Sequence, residues 1–121
     1  MKFLALIYND EHLYTDATPQ DIAATFEAHG KFGQAAGEAG VFLGGEGLQP
    51  IATATTVRVR DDERMLTDGP YAETKEQLGG YYLVEAKDLD EAVKLAARIP
   101  SAVFGSIEVR PIRPMPADYP R

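Results

Sequence analysis

Residues 67–82 read TDGPYAETKEQLGGYY and join two segments that have the apolar character of β-strands. The stretch contains Asp-Gly-Pro and Gly-Gly, which favour turns, and four ionisable side chains, Asp68, Glu73, Lys75 and Glu76. A simple hairpin connection needs only about two to five residues. The extra length therefore indicates a structured loop beside a binding site, although a solvated cluster of charges explains the same residues.

Strand patterns occur on both sides of this stretch. The run at residues 2–8 is apolar almost throughout, which predicts a central strand buried on both faces. Glycines in the second segment indicate a bulge or a close backbone approach. The predicted strands cover residues 2–8, 41–48, 53–60, 64–67, 79–86 and 102–112.

Two helices are predicted between these strands. The first begins after Thr18, because a hydroxyl N-cap, a proline at the first helical position and an acid in the first turn agree. Gly40 is its predicted C-cap. The second helix begins after Asp88 and stops at Pro100.

The first helix has an apolar stripe, and His29 falls in the middle of it. The same helix contains Gly30, Gly33 and Gly37. An interior glycine destabilises a helix by roughly 1 kcal/mol relative to alanine. We therefore expect these glycines to allow close packing of the helix onto a sheet.

The order of elements predicts the fold class. The predicted order contains two split β-α-β units. It runs strand, helix, strand, hairpin, strand, helix and strand. We expect an α+β, ferredoxin-like fold of the dimeric α+β barrel type, with two helices on one face of an antiparallel sheet and an extra hairpin. Residues 1–114 form one domain, and residues 115–121 form a proline-rich tail. Because the other face of the sheet needs cover, we expect a homodimer.

The composition restricts the possible partners. The 121 residues include 12 Lys and Arg against 19 Asp and Glu, and the formal net charge of −7 argues against a nucleic-acid partner. Cysteine is absent, which excludes thiolate nucleophiles and Cys-ligated metal centres. The N-terminal apolar run is too short for a membrane span, so we expect a cytoplasmic protein without a membrane partner.

His29 and Asp68 are the candidate catalytic pair, because a neutral imidazole beside a carboxylate acts as a general acid–base. The alternatives are a histidine at the edge of a core and an aspartate that accepts backbone N–H groups in a turn. Two histidines do not suffice for a His-based zinc site, so we expect neither a metal nor a cofactor. The candidate substrate-binding residues are Tyr8, Glu46, Glu73, Lys75 and Tyr82.

A family resemblance rests on the opening stretch. DGPYAETKE at residues 68–76, followed by LGGYY at residues 78–82, resembles the signature of the DGPF subgroup of YCII-related proteins. Tyr71 stands where the phenylalanine that names the subgroup is usual. The start MKFLALIY and residues 44–48 are also similar. The resemblance extends over the chain to about residue 114.

This resemblance implies a dimeric ferredoxin-like fold with an active-site cleft, in which His29 matches the helix histidine of a His–Asp pair. One branch of the superfamily eliminates chloride from a chlorinated hydroxyhydroquinone, but most members have no assigned reaction. One hypothesis is therefore a cofactor-independent lyase-like or isomerase-like enzyme for a small polar or phenolic molecule, with Lys75 or Tyr82 stabilising an oxyanion. The alternative is a non-catalytic dimeric module that binds a small ligand or regulates another process.

Overall fold

A computed structural model describes residues 1–120, and within them the chain forms six β-strands and three α-helices. The strands are β1 (Lys2–Asn9), β2 (Phe42–Gly47), β3 (Thr55–Arg60), β4 (Glu63–Asp68), β5 (Gln77–Glu85) and β6 (Ser106–Pro111). The helices are α1 (His12–Thr15), α2 (Pro19–Glu38) and α3 (Leu89–Ala96), and short 3₁₀ turns occupy Ile51–Thr53 and Pro100–Val103.

Four strands form the main sheet in the order β2-β5-β1-β6, and all neighbours are antiparallel. Strands β3 and β4 form a separate two-stranded sheet. The succession of elements and the central position of β1 were both predicted, and they are consistent with a ferredoxin-like α+β fold. The predicted bulge in β2 is confirmed by a shift of register between Phe42 and Gly44.

Helix α2 begins and ends where its capping signals predict. The Thr18 hydroxyl accepts the Asp21 N–H at 3.1 Å, and the Asp21 carboxylate accepts the Thr18 N–H at 3.3 Å, which completes a capping box. After the helix, Gly40 takes a φ of +75°, a left-handed conformation that glycine adopts without a steric penalty.

Helix α3 is shorter than predicted. Asp88 caps its start by accepting a backbone N–H at 2.9 Å, but the helix ends at Ala96. Ile99 has ψ of 127°, because proline disfavours the helical conformation of the residue before it. The chain then forms the 3₁₀ turn Pro100–Val103, so the last strand starts only at Ser106.

The core lies between the main sheet and the helices. Phe3, Ala5 and Ile7 of β1 are buried, and they pack with residues of the helices such as Phe32 and Ala92. The residues between them on β1 are only partly buried. The prediction that β1 is buried on both faces is therefore wrong within one chain, because the helices cover a single face.

Residues 55–68 form a hairpin arm that the rest of the chain leaves open. The arm turns at Asp61 and Asp62, whose φ values of 52° and 63° are typical of a two-residue type I′ turn. Val57 and Leu66 are paired across the arm and are 56% and 61% exposed. The arm therefore presents an apolar surface to solvent.

None of the helices in residues 1–120 combines the length and the apolar character that a membrane crossing requires.

Candidate functional site

A cavity of about 760 Å³ opens between α2 and the β2–β5 side of the main sheet. This volume is in the range of small-molecule sites in proteins. Most of its surface is apolar. Representative lining residues are Ile22, Phe26 and His29 from α2, and Phe42, Gly45 and Tyr82 from the sheet.

Glycine is required in the sheet wall of this cavity. A Cβ atom on Gly45 would lie 2.6 Å from the backbone oxygen of Tyr81 and 2.7 Å from a ring carbon of Tyr82. A Cβ on Gly80 would lie 2.8 Å from the backbone oxygen of Glu46. These two glycines let β2 and β5 approach closely, and they leave the Tyr82 ring room beside the strand.

The α2 glycines have a different role from the one predicted. A Cβ on Gly30, Gly33 or Gly37 would meet no atom within 4 Å, so these residues do not serve close packing. Gly30 and Gly33 instead line the cavity. Their missing side chains leave that part of the α2 wall open.

His29 is the centre of a hydrogen-bonded array on the cavity wall. Its Nδ1 lies 2.8 Å from Oη of Tyr82, and its Nε2 lies 3.0 Å from Oγ of Ser101. Ser101 is 1% exposed, on the 3₁₀ turn before β6. A neutral imidazole has one donor and one acceptor nitrogen, and either tautomer satisfies both contacts when the two hydroxyls rotate accordingly.

Tyr82 is held in place by the core. Its ring centroid lies 5.0 Å from that of Phe32 and 5.7 Å from that of Phe42. Burial raises the pKa of the Tyr82 phenol and lowers the pKa of the His29 imidazole below its ordinary value of 6.5. Both groups are therefore uncharged near neutral pH, and the unprotonated nitrogen of the imidazole can accept a proton.

Two polar residues complete the wall, one at the end of β1 and one in the connection to α1. The Asn9 side chain lines the cavity, is nearly fully buried and donates from Nδ2 to Oη of Tyr14 at 3.3 Å. Glu11 also lines the cavity, and its Oε1 accepts the backbone N–H of Ile51 at 2.8 Å. The carboxylate of Glu11 is thereby fixed in position.

Residues 1–116 match the model of the YCII-related domain. This chain belongs to the YCII-related family. A similar protein from Rhizobium meliloti (strain 1021), described as uncharacterized, is 35% identical over 114 residues, which cover 93% of this chain and 92% of the relative. The predicted resemblance to the YCII-related family is thus confirmed at the level of the family, and the match extends over every element that contributes to the cavity.

The structure of this YCII-related protein brings together some of the predicted site residues. His29, Glu46 and Tyr82 line the cavity. Glu73 and Lys75 lie in the exposed loop between β4 and β5 and do not line it. Tyr8 alternates with the buried Ile7 and Asn9, so it points to the opposite face of the sheet, where its hydroxyl donates to Glu108 at 3.2 Å.

The predicted His29–Asp68 pair is not formed within the YCII-related chain. Asp68 is the last residue of β4, is exposed, and is paired with Thr55 in the hairpin arm. Both nitrogens of His29 have other partners, Tyr82 and Ser101. The prediction assigned the whole opening stretch to one wall, whereas within one chain its first residues belong to a separate sheet.

Sequence reasoning missed Asn9, Glu11 and Ser101 in this YCII-related site. Ser101 meets His29 across 72 residues of sequence, and no local pattern indicates that contact. In residues 1–120, no group of three or more His, Cys, Asp or Glu side chains is arranged to hold a metal ion. The chemistry that the site offers is hydrogen bonding and proton transfer.

Proposed function

We propose that this YCII-related protein binds a small ring-containing molecule in the cavity and that Tyr82 and His29 transfer a proton to or from it. The observation that carries the proposal is the 2.8 Å contact between His29 Nδ1 and Tyr82 Oη on the wall of a 760 Å³ apolar cavity. Eliminations and isomerisations need such acid–base groups and no group-transfer cofactor. A cofactor-independent lyase-like or isomerase-like reaction is therefore the class that we favour.

Tyr82 would be the group that exchanges a proton with the ligand. As a base, its oxygen accepts the ligand proton while its own proton moves to Nδ1 of His29. As an acid, it donates its proton to the ligand, and Nδ1–H of the neutral His29 imidazole stabilises the resulting phenolate by a hydrogen bond. The first direction needs an unprotonated imidazole, and the lowered pKa of His29 keeps it unprotonated near neutral pH, although it also makes the imidazole a weaker base. Ser101 holds the other ring nitrogen and is a positioning residue.

The test is turnover of a panel of substituted phenols and hydroquinones by matched variants. Tyr82→Phe keeps the packed ring and removes only the hydroxyl, and His29→Gln removes the titrating group. We expect each to lower kcat by about 100-fold or more for a substrate that the wild type converts. His12→Gln is the control, because His12 is the other histidine and its side chain is 86% exposed.

A non-catalytic binding module is the second candidate. The observation that favours it is that both ring nitrogens of His29 already have partners within the chain. If the protein is a binding module, members of the panel bind and the wild type converts none of them. If the wild type and His12→Gln convert a substrate and Tyr82→Phe does not, the protein is an enzyme.

We also propose that the protein is a homodimer of the dimeric α+β barrel type. The helices cover one face of the main sheet, and Leu4, Leu6 and Leu83 on the other face are only partly buried. The apolar surface of the hairpin arm, with Val57 and Leu66, supports the same proposal. A second copy would bury both surfaces.

Membership of the DGPF subgroup is a narrower proposal within the family. It is supported by residues 68–76 and 78–82, with Tyr71 in place of phenylalanine. The Arg58 guanidinium lies 5.5 Å from the centroid of the Tyr71 ring, a cation–π contact that phenylalanine also makes. The replacement therefore keeps the interaction. A cytoplasmic location stays a prediction.

A further inference from the structure

In the part of the chain that the structure describes, the cavity lining contains acidic side chains and no Lys or Arg side chain to balance their charge. Among the described residues that line it, Glu11 and Glu46 are acidic, and none is Lys or Arg. The imidazole of His29 does not supply the missing positive charge, since burial favours its neutral form. The formal charge of the lining is therefore negative.

Asn9 contributes an uncharged acceptor to the lining. Asn9 is 4% exposed, and one N–H of its Nδ2 donates to Oη of Tyr14. Within residues 1–120, its Oδ1 accepts no hydrogen bond from another residue, which leaves an acceptor available at the cavity wall. This acceptor suits a ligand that carries an N–H or O–H donor.

We propose that the cavity selects its ligand by charge, and that it takes ring compounds bearing a hydroxyl or an amine and rejects carboxylates and phosphates. This inference rests on the proposed function and names the ligand class of the same site. A carboxylate in the cavity would lose its hydration without gaining a cationic partner. An amine would meet Glu11, Glu46 and the Asn9 oxygen, which form charge-assisted or ordinary hydrogen bonds with N–H donors.

The experiment compares three ligands that share a hydroxyphenyl ring and a two-carbon side chain. Tyramine is cationic, tyrosol is neutral and 4-hydroxyphenylacetate is anionic. Dissociation constants are measured by calorimetry or by NMR titration, without any requirement for turnover. We expect 4-hydroxyphenylacetate to bind at least tenfold more weakly than tyrosol, about 1.4 kcal/mol, and tyramine to bind at least as tightly as tyrosol.

Matched variants separate the local effect from that of the net charge of −7. Glu46→Gln removes one charge at the cavity, and Glu11→Gln removes the other while keeping an oxygen that accepts the Ile51 N–H. We expect each variant to bring the dissociation constants of tyramine and 4-hydroxyphenylacetate closer together, so that their ratio changes by about threefold or more. Glu91→Gln is the control, because it makes the same change in charge on α3, outside the cavity lining, and should leave the ratio unaltered.

The outcomes distinguish this inference from the function on which it rests. If 4-hydroxyphenylacetate binds as tightly as tyrosol, or if Glu91→Gln changes the ratio as much as Glu46→Gln does, selection by the cavity acids is wrong and the ligand site stands. If none of the three ligands binds at millimolar concentration, the ligand class and the proposed function both fall. If the expected order holds and no phenol is converted, the ligand class stands and the catalytic proposal is wrong.

Discussion

Tyr71 and Tyr82 belong to the same stretch of sequence, but their surroundings are opposite. Tyr71 is 80% exposed and contacts the Arg58 guanidinium, whereas Tyr82 packs between Phe32 and Phe42 and hydrogen-bonds to His29. An exposed cation–π contact contributes about 0.5–1 kcal/mol. A buried aromatic ring contributes several times more, and its hydroxyl acts in a medium of low polarity.

The same contrast holds between the cavity wall, which contains Tyr82, and the hairpin arm, which Tyr71 contacts through Arg58. The cavity wall is built from tightly packed groups, so changes there should alter folding and ligand chemistry together. The hairpin arm is open, so changes there should alter association and leave the folded chain almost unaffected. Three predictions test this contrast.

The largest effect is expected at the cavity wall, for Gly45→Ala. The added Cβ would lie 2.6 Å from the Tyr81 backbone oxygen, which has no freedom to move within the sheet. We expect the free energy of unfolding, measured by urea denaturation, to fall by about 2–3 kcal/mol. Gly44→Ala is the control on the same strand, because a Cβ there meets no atom within 4 Å. Equal losses for the two variants would contradict the packing argument.

An intermediate effect is expected on the hairpin arm, for Leu66→Asp. Leu66 shares a face of the arm with its partner Val57, and removal of one large apolar side chain from an interface weakens it by about 1.5–3 kcal/mol. We expect dimer dissociation to become at least tenfold more favourable in light scattering or sedimentation, with little change in the stability of each chain. Met65→Asp, on the opposite face of the arm, should keep the dimer. A wild-type protein that is monomeric at micromolar concentration would refute the dimer itself.

The smallest effect is the pH dependence of stability that His29 causes. Its pKa is lowered by folding, so below about pH 6.5 the unfolded chain binds a proton that the folded chain does not. Wild-type stability therefore falls as the pH decreases from that value and levels off below the folded pKa. The stability difference between wild type and His29→Gln should be greater at about pH 7.5 than at about pH 5. A stability difference that grows toward acid pH would contradict the predicted direction.

Local signals in the sequence predicted most of the fold. The N-cap at Thr18 and the glycine stop at Gly40 depend on a few neighbouring residues, and both were predicted. The end of α3 was not, because the helical pattern continues beyond Ala96 while the conformation that Pro100 imposes on Ile99 stops the helix.

The site was predicted less completely, for a physical reason. His29 and Tyr82 could be found because each lies on a regular element whose periodicity indicates the inward face. Ser101 reaches His29 from an irregular turn, and its position depends on packing between distant segments. Asp68 was predicted beside His29 because a dense group of charges and turn residues resembles a binding loop, whereas within one chain Asp68 pairs with Thr55 in the hairpin arm.

The array of Tyr82, His29 and Ser101 has a consequence for the folding of the chain during its synthesis. Its contacts span 53 and 72 residues of sequence, so they close long loops that are slow to form. During synthesis, the helix that carries His29 emerges long before the turn that carries Ser101. We therefore expect a chain truncated before Ser101 to bind the ligand more weakly than the complete chain.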